Sequence, residues 1–147
     1  MTTTSPFRPG ATLDAINAQG PGTLIEHLGI RMTDLGTDSL SGSMPVDHRT
    51  RQPYGLLHGG ASVALAETLG SVAANLCIDN ATHIAVGLEI NANHLRAATH
   101  GHVHGTATAV HIGRSTQVWD IRIHDDQGRP TCVSRLTMAV VPRRAAG

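Results

Sequence analysis

Aromatic residues are almost missing from this chain of 147 residues, which contains only Phe7, Tyr54 and Trp119. Proteins that bind single-stranded nucleic acid stack bases on several aromatic side chains, and this sequence cannot build such a surface. An excess of positive charge is missing too, because 11 basic residues balance 11 acidic ones. No run of basic residues interrupts this balance, so the composition excludes electrostatic capture of nucleic acid.

Cysteine is scarce as well, with only Cys77 and Cys132 in the chain. A disulfide framework needs more cysteines, usually in a shorter secreted chain. We therefore interpret both residues as buried thiols in a reducing compartment. The first nine residues contain no apolar run of the kind that a signal peptide has, and no stretch approaches the ~18 apolar residues of a membrane-spanning helix. The sequence predicts a cytoplasmic protein with no membrane partner.

The sequence is rich in aliphatic side chains. Hydrophobic residues make up 40% of the chain and charged residues 15%, which is typical of a folded globular protein. The length suits one domain with one core of Ala, Val, Leu and Ile. We predict a flexible tail over 1–11, one domain over 12–142 and a short tail over 143–147.

The segment from His58 to Leu76 is apolar on almost every side, which is typical of a long buried helix. Two short helices are predicted before it, over 12–18 and 23–28. Alternation of apolar and polar residues predicts strands; these cover 30–35, 40–46, 82–92, 101–112, 115–124 and 131–141. The order predicts an α+β fold in which an antiparallel sheet wraps around one helix, and the uncovered helix surface and sheet edge favour a second subunit.

Glu67 is the one ionisable residue between Gly59 and Asn75. A carboxylate among Ala, Val and Leu is costly to bury unless it is paired or protonated, and enzymes use such groups as acids or bases. A glutamate that points outward, or that pairs with an arginine, explains the pattern equally well. Ser71 lies one turn further along the same helix face. It can orient the carboxylate or a water, or bond back to the helix backbone.

His58-Gly59-Gly60 opens the predicted helix, where the first N–H groups have no partner and the helix dipole favours negative charge. This suits an oxyanion hole, although a plain loop-to-helix junction has the same appearance. Gly59 and Glu67 are eight residues apart, which is roughly 12 Å along a helix. One helix cannot easily place both on one carbonyl group. If both act, they come from different subunits, and the protein is at least a dimer.

Two segments together resemble the loop and central helix of hotdog-fold acyl-CoA thioesterases: Gln52-Pro-Tyr-Gly-Leu-Leu-His-Gly-Gly-Ala-Ser-Val63 and Leu65-Ala-Glu-Thr-Leu-Gly-Ser-Val-Ala73. The segments 86–96 and 111–119 strengthen the resemblance, which covers about 12–141. It is to the 4-hydroxybenzoyl-CoA thioesterase branch, which carries its catalytic Glu on the helix. Within that branch, the chain is most similar to 1,4-dihydroxy-2-naphthoyl-CoA thioesterases and the thioesterases that proofread enterobactin synthesis.

The resemblance implies hydrolysis of an aryl or hydroxyaryl acyl-CoA to the free acid and CoA, with no metal or separate cofactor. It also implies a homodimer or a homotetramer with sites at the subunit interface. Glu67 would attack the thioester carbonyl or activate a water. The Gly59 N–H would polarise the carbonyl oxygen, with assistance from His58, Gln52 and Ser71. CoA contacts are implied for Gly87, His94, Leu95, Arg96, Ala97, His111, Ile112, Gly113, Arg114, Ser115 and Thr116, with the two arginines near the phosphates.

Asn75 departs from the related enzymes of menaquinone synthesis, which have an aromatic residue there, two turns beyond Glu67. Two other functions stay open. A hotdog hydratase or dehydratase would use a histidine and an acid, which His58 and Glu67 supply. A non-catalytic acyl-CoA binding module would keep the CoA contacts but would not need Glu67.

Two further motifs have ordinary interpretations. His100-Gly-His-Val-His104 puts three histidines on one face of a strand, as a zinc site would, but a solvated strand start is favoured. Cys77 follows the long helix, and no cationic neighbour in the sequence lowers its pKa as a catalytic thiol requires. We expect it to pack in the core.

Overall fold

One six-stranded antiparallel sheet packed on one long helix forms the structure, a computed structural model that describes residues 4–144. The strand order is β1-β2-β4-β5-β6-β3. The predicted α+β architecture is therefore confirmed. The elements in chain order are α1 (Leu13–Asn17), α2 (Leu24–His27), β1 (Arg31–Leu35), β2 (Ser39–Pro45), α3 (Gly59–Leu76), β3 (His83–His94), β4 (His102–Ile112), β5 (Thr116–Asp125) and β6 (Pro130–Pro142).

The long helix α3 begins at Gly59 because His58 caps it. The His58 backbone is extended, and its Nδ1 accepts a hydrogen bond from the Gly60 N–H at 2.8 Å. One side of α3 is buried against the sheet by residues at helical spacing, which are Ala61, Ser62, Leu65, Ala66, Leu69, Gly70, Ala73 and Ala74. The opposite side, which carries Glu67, is only half-buried. The sheet therefore covers one face of the helix, whereas the sequence predicts burial on almost every side.

Glycines in β2 and β4 bring the sheet close to α3. A Cβ on Gly105 would lie 2.7 Å from Leu69 Cδ1, and a Cβ on Gly42 would lie 2.8 Å from Leu69 Cδ2. The Leu69 side chain is fully buried between these strands. This contact fixes the rotation of α3, so the residues opposite Leu69 face away from the sheet.

The N-terminal segment packs against the core. The Phe7 ring, within the predicted tail 1–11, stacks on the fully buried Trp119 with 6.3 Å between ring centroids. The Arg8 N–H donates to Leu76 O at 2.9 Å. Residues 1–3 and 145–147, which the sequence assigns to the two tails, lie outside the described residues.

Strand β3 forms one edge of the sheet and, in the part of the chain that the structure describes, pairs with β6 alone. A β-bulge between Gly87 and Glu89 shifts its register. Val86 and Leu88 beside this bulge are 40% and 63% exposed in the single chain. A long edge strand with exposed apolar side chains is unusual in a monomer, because it offers a pairing surface to another chain. Of the helices within 4–144, none has the length and apolar character to cross a membrane.

Candidate active site

The Glu67 side chain lies in a groove of about 480 Å³ between α2 and α3. This helix groove is lined by Leu24, Ile25, Gly60, Val63, Ala64, Glu67, Thr68, Ser71 and Val72. Within 4–144, the Glu67 carboxylate accepts no hydrogen bond and forms no ion pair. Glu67 therefore does not pair with any described arginine, which was one of the alternatives that the sequence left open. A half-buried, unpaired carboxylate in a mainly apolar groove is available to a ligand.

Gly87 of β3 lies directly against the Glu67 carboxylate. A Cβ on Gly87 would come within 2.5 Å of Glu67 Oε1. The sequence resemblance implied a CoA contact for Gly87, and that role stays a prediction. Ser71 is on the same groove wall, with its Oγ 3.8 Å from Met138 Sδ. Its hydroxyl therefore has no strong partner nearby and is free to bond to a ligand or a water.

Gly59 lines a different cavity, of about 390 Å³, at the start of α3. In the first turn of the helix, His58 accepts the Gly60, Ala61 and Ser62 N–H groups. The Gly59 N–H has no acceptor among the described residues. An unpaired N–H at a helix N-terminus is the donor that an oxyanion hole requires.

The Gly59 cavity brings together several residues that the sequence resemblance singled out. It is lined by Gln52, Leu56, Leu57, Gly59, Ser62, His94, Leu95, Arg96, Ala97, Ala98 and Thr131. The His94 ring covers Gly59 so closely that a Cβ there would lie 2.9 Å from His94 Nε2. Gln52 Oε1 accepts a hydrogen bond from the Tyr54 N–H, which leaves the Gln52 amide group as a donor. The His58 ring instead borders a third cavity, of about 290 Å³, with Arg49 and Arg51.

The two CoA-contact segments predicted from the resemblance lie at opposite ends of the sheet. Thr116 pairs with Ala139, which pairs with Val86, whereas His94 pairs with Cys132. Eight residues of extended β3 separate these two ends, a distance of roughly 26 Å. The turn 111–116 and the segment 94–97 of one chain therefore lie far apart. Their roles in CoA binding stay predictions.

Cys77 and His104, which belong to the two further motifs of the sequence analysis, lie in ordinary structural surroundings. Burial raises the pKa of the Cys77 thiol to about 11, so Cys77 is protonated near neutral pH and is not an activated nucleophile. His104 Nε2 lies 2.7 Å from Asp126 Oδ1 on the outer face of the sheet. The hydrogen bond from His104 lowers the pKa of the Asp126 carboxyl, which favours the ionised form of Asp126.

The helix groove also contains residues that sequence reasoning missed. Leu24 and Ile25 of the short helix α2 form the wall opposite Glu67. A sequence signal existed, because Leu24 and Ile25 are adjacent apolar residues on a four-residue helix that is too short to bury both. Their position against α3 depends on the path of the chain between α2 and α3, which the pattern does not encode.

The sequence profile of the thioesterase superfamily matches residues 54–132. The chain is 53% identical over 130 residues to the 1,4-dihydroxy-2-naphthoyl-CoA hydrolase of Escherichia coli (strain K12), covering 88% of this chain and 95% of that protein. It is 55% identical over 130 residues to the proofreading thioesterase EntH of Cronobacter turicensis, covering 88% and 94%.

Solved structures agree with these matches. The crystal structure of a mutant thioesterase from Pseudomonas aeruginosa gives a TM-score of 0.93 at 52% identity, covering 95% of this chain and all of that one. The thioesterase crystal structure from Haemophilus influenzae gives a TM-score of 0.89 at 46% identity, covering 92% and 94%.

Proposed function

The chain belongs to the thioesterase superfamily, and we propose that it is an acyl-CoA thioesterase in which Glu67 and the Gly59 N–H act on one thioester carbonyl. The family, the hotdog fold and thioester hydrolysis, which the sequence resemblance implied, are confirmed by the relatives. The name of the Escherichia coli relative supports aryl or hydroxyaryl acyl groups as substrates. The main observation that supports the proposal is the unpaired Glu67 carboxylate in the helix groove.

In the proposed reaction, Glu67 either attacks the thioester carbonyl or removes a proton from an attacking water. The Gly59 N–H stabilises the negative charge that develops on the carbonyl oxygen. The C–S bond then breaks, and CoA leaves as the thiolate. In the first route the acyl group is left as a mixed anhydride with Glu67, which water hydrolyses to the free acid and the free carboxylate; in the second route the attacking water becomes part of the acid directly. His58 and Gln52 hold the carbonyl end, Ser71 holds the carboxylate or the water, and no cofactor takes part because CoA belongs to the substrate.

The free edge of β3 supports a site that two subunits share. Glu67 lies against Gly87, and Gly59 lies against His94, seven residues or roughly 23 Å further along the same strand. Antiparallel pairing of β3 with β3 of a second copy, about a two-fold axis midway between these positions, brings Gly87 opposite His94 of the partner subunit. Each Glu67 then comes beside the Gly59 cavity of the partner subunit. A homodimer therefore contains two complete sites.

Asn75 marks where this pairing edge begins. Its Nδ2 donates to Ala85 O at 3.1 Å, and its Oδ1 accepts from the Ala85 N–H at 3.0 Å. The backbone groups of Ala85 are thereby occupied and cannot pair with another strand. The edge that stays free runs from Gly87 to His94, which is the stretch that the two-fold register uses. Pairing of two such dimers would give the homotetramer expected from the family resemblance.

A dimer of this kind also explains the separation of the two predicted CoA segments. Residues 94–97 of one subunit would lie beside the end of the partner sheet that carries turn 111–116. Arg96 and Arg114 would then approach the CoA phosphates from different subunits, with the forked guanidinium geometry that suits phosphate oxygens. We assign the protein to the cytoplasm, where its free Cys77 and Cys132 would remain reduced.

Release of free CoA from a panel of aromatic and aliphatic acyl-CoAs tests the proposed function. We expect hydrolysis with kcat/KM of about 10⁴ M⁻¹s⁻¹ or more on the best aryl substrate. Assay of enoyl-CoA hydration on the same samples tests the alternative reaction. CoA binding without hydrolysis of any member would contradict the proposal and favour a binding module.

Replacement of Gly87 by alanine tests the contact between β3 and the proposed catalytic carboxylate. The added Cβ would displace Glu67 Oε1, so we expect kcat to fall by about tenfold or more. The thermal unfolding temperature should change little, because the φ of Gly87 is not positive and the added Cβ meets only the end of the flexible Glu67 side chain. In a Glu67→Gln background, the same change should have no further effect on kcat. Unchanged kcat in Gly87→Ala would show that the position of this carboxylate does not matter.

A further inference from the structure

A second cavity adjoins the helix groove beyond Glu67, toward the C-terminal end of α3. Ile25, Ser71 and Val72 line both the groove and a neighbouring cavity of about 450 Å³. The walls of this far cavity are mostly apolar, with contributions from Ile16, Met32, Leu76 and Ile84. If the carbonyl carbon of an acyl group lies at Glu67, the rest of the group can therefore extend along the groove into this mainly apolar far cavity. We call the groove and the far cavity together the channel.

The far end of this channel carries positive charge. Arg143 lines it and donates from one guanidinium nitrogen to Asn80 O at 2.8 Å, which leaves its other N–H groups available. Within 4–144, no carboxylate forms a salt bridge with Arg143. His83 lies at the same end, with Nδ1 2.9 Å from Thr82 Oγ1. None of the described residues that line the far cavity is an aspartate or a glutamate.

Asp79, the acid closest to this end in sequence, already has partners. Its carboxylate accepts the Ala81 N–H at 3.0 Å and pairs with Arg8 at 3.3 Å. The hydrogen bond from Ala81 is the main cause that lowers the Asp79 pKa, and the Thr82 hydroxyl adds to it. Arg8 therefore pairs with Asp79, whereas the exposed Arg143 forms no ion pair with any described residue. The amide of Asn75, which also lines the cavity, is occupied by the β3 backbone.

The spacing of residues along α3 gives an estimate of the size of the group that reaches from Glu67 to the far cavity. Glu67 and Asn75 are eight residues apart on α3, which corresponds to roughly 12 Å. An extended chain advances about 1.2 Å per bond, so about ten bonds cover this distance. On the basis of the proposed thioesterase function, we infer that the enzyme takes a second substrate class: straight-chain acyl-CoAs of about eight to ten carbons that end in a carboxylate, bound by Arg143.

Kinetics on two thioesters of equal length test this inference. The wild-type enzyme is expected to hydrolyse the mono-CoA thioester of decanedioic acid with about tenfold higher kcat/KM than decanoyl-CoA. In Arg143→Gln, this ratio should fall to about one, and Arg143→Lys should retain part of it. The matched control is Arg144→Gln, because Arg144 is adjacent in the chain but does not line the cavity. A wild-type ratio near one, or a ratio that Arg143→Gln leaves unchanged, would overturn the inference.

A binding measurement separates failure of this subsite from failure of the proposed function. The same two thioesters are titrated calorimetrically into the Glu67→Gln variant, with and without Arg143→Gln. Tighter binding of the dicarboxylic thioester by about tenfold, lost with Arg143→Gln, would support the subsite even if the wild type hydrolysed neither thioester. Equal binding of both would overturn it, even if the wild type hydrolysed both.

Discussion

Turnover of acyl-CoA is expected to fall by about three orders of magnitude when Glu67 is replaced by glutamine or alanine. Among the described residues that line the two cavities of the proposed site, no second carboxylate can attack the carbonyl or take a proton from water. The fold should remain intact, because the Glu67 carboxylate has no hydrogen-bond or ion-pair partner in the described part of the chain. Steady-state release of CoA and far-UV circular dichroism on the same samples check both statements.

The control for this prediction is Glu26→Gln, which changes a glutamate that accepts the Gly22 N–H outside the helix groove. A glutamine oxygen also accepts that hydrogen bond, so turnover should stay at the wild-type level. Glu67→Asp should be strongly impaired as well, because the shorter side chain withdraws the carboxylate from the reacting carbon by more than catalysis tolerates. Near wild-type turnover in Glu67→Ala would end the proposal.

Removal of the Gly59 N–H is the second change with a large expected effect. Proline suits the first position of a helix, and the extended backbone of His58 is compatible with a following proline. Gly59→Pro therefore deletes the donor while it leaves α3 able to form. We expect kcat to fall by about two to three orders of magnitude relative to Gly59→Ala, as for loss of an oxyanion-hole donor. Single-turnover kinetics measures this difference directly.

Gly59→Ala is the matched control for that change. Its Cβ meets His94 Nε2 in the same way as the proline ring would, but it keeps the N–H. The difference between the two variants therefore separates the replacement of the N–H by the proline Cδ from the contact with His94. Equal turnover in Gly59→Pro and Gly59→Ala would show that this N–H does not bind the carbonyl oxygen.

The sequence predicts the elements of the fold well because their periodicity is local. Strand β2 alternates buried and half-buried residues along its whole length, and α3 follows its apolar run from Gly59 to Leu76. The strand order is not local in this way. Strand β3 pairs with β6 and lies at the sheet edge, which follows from contacts between residues such as Ile84 and Val141, far apart in sequence. The sequence therefore predicts an antiparallel sheet but not the order of its strands.

The residues of the candidate site show the same difference between local features, which the sequence reveals, and long-range contacts, which it does not. Glu67 is recognisable because it is isolated among apolar residues, and Gly59 because it starts a helix. The contacts of Gly87 with Glu67 and of His94 with Gly59 join strand to helix, and no sequence spacing encodes them. Arg143 could not be recognised at all from the sequence, because it follows the last strand and reaches the far cavity only in the folded chain.

Mixing two inactive variants tests the shared site most directly. Glu67→Gln and Gly59→Pro subunits are unfolded together, refolded in equal amounts and assayed for CoA release. If each site takes Glu67 from one subunit and Gly59 from its partner, half of the dimers are mixed and each contains one intact site. The account then predicts recovery of about a quarter of wild-type activity. Recovery of no activity in mixed dimers, with their formation verified by mass spectrometry, would contradict a site built from two subunits.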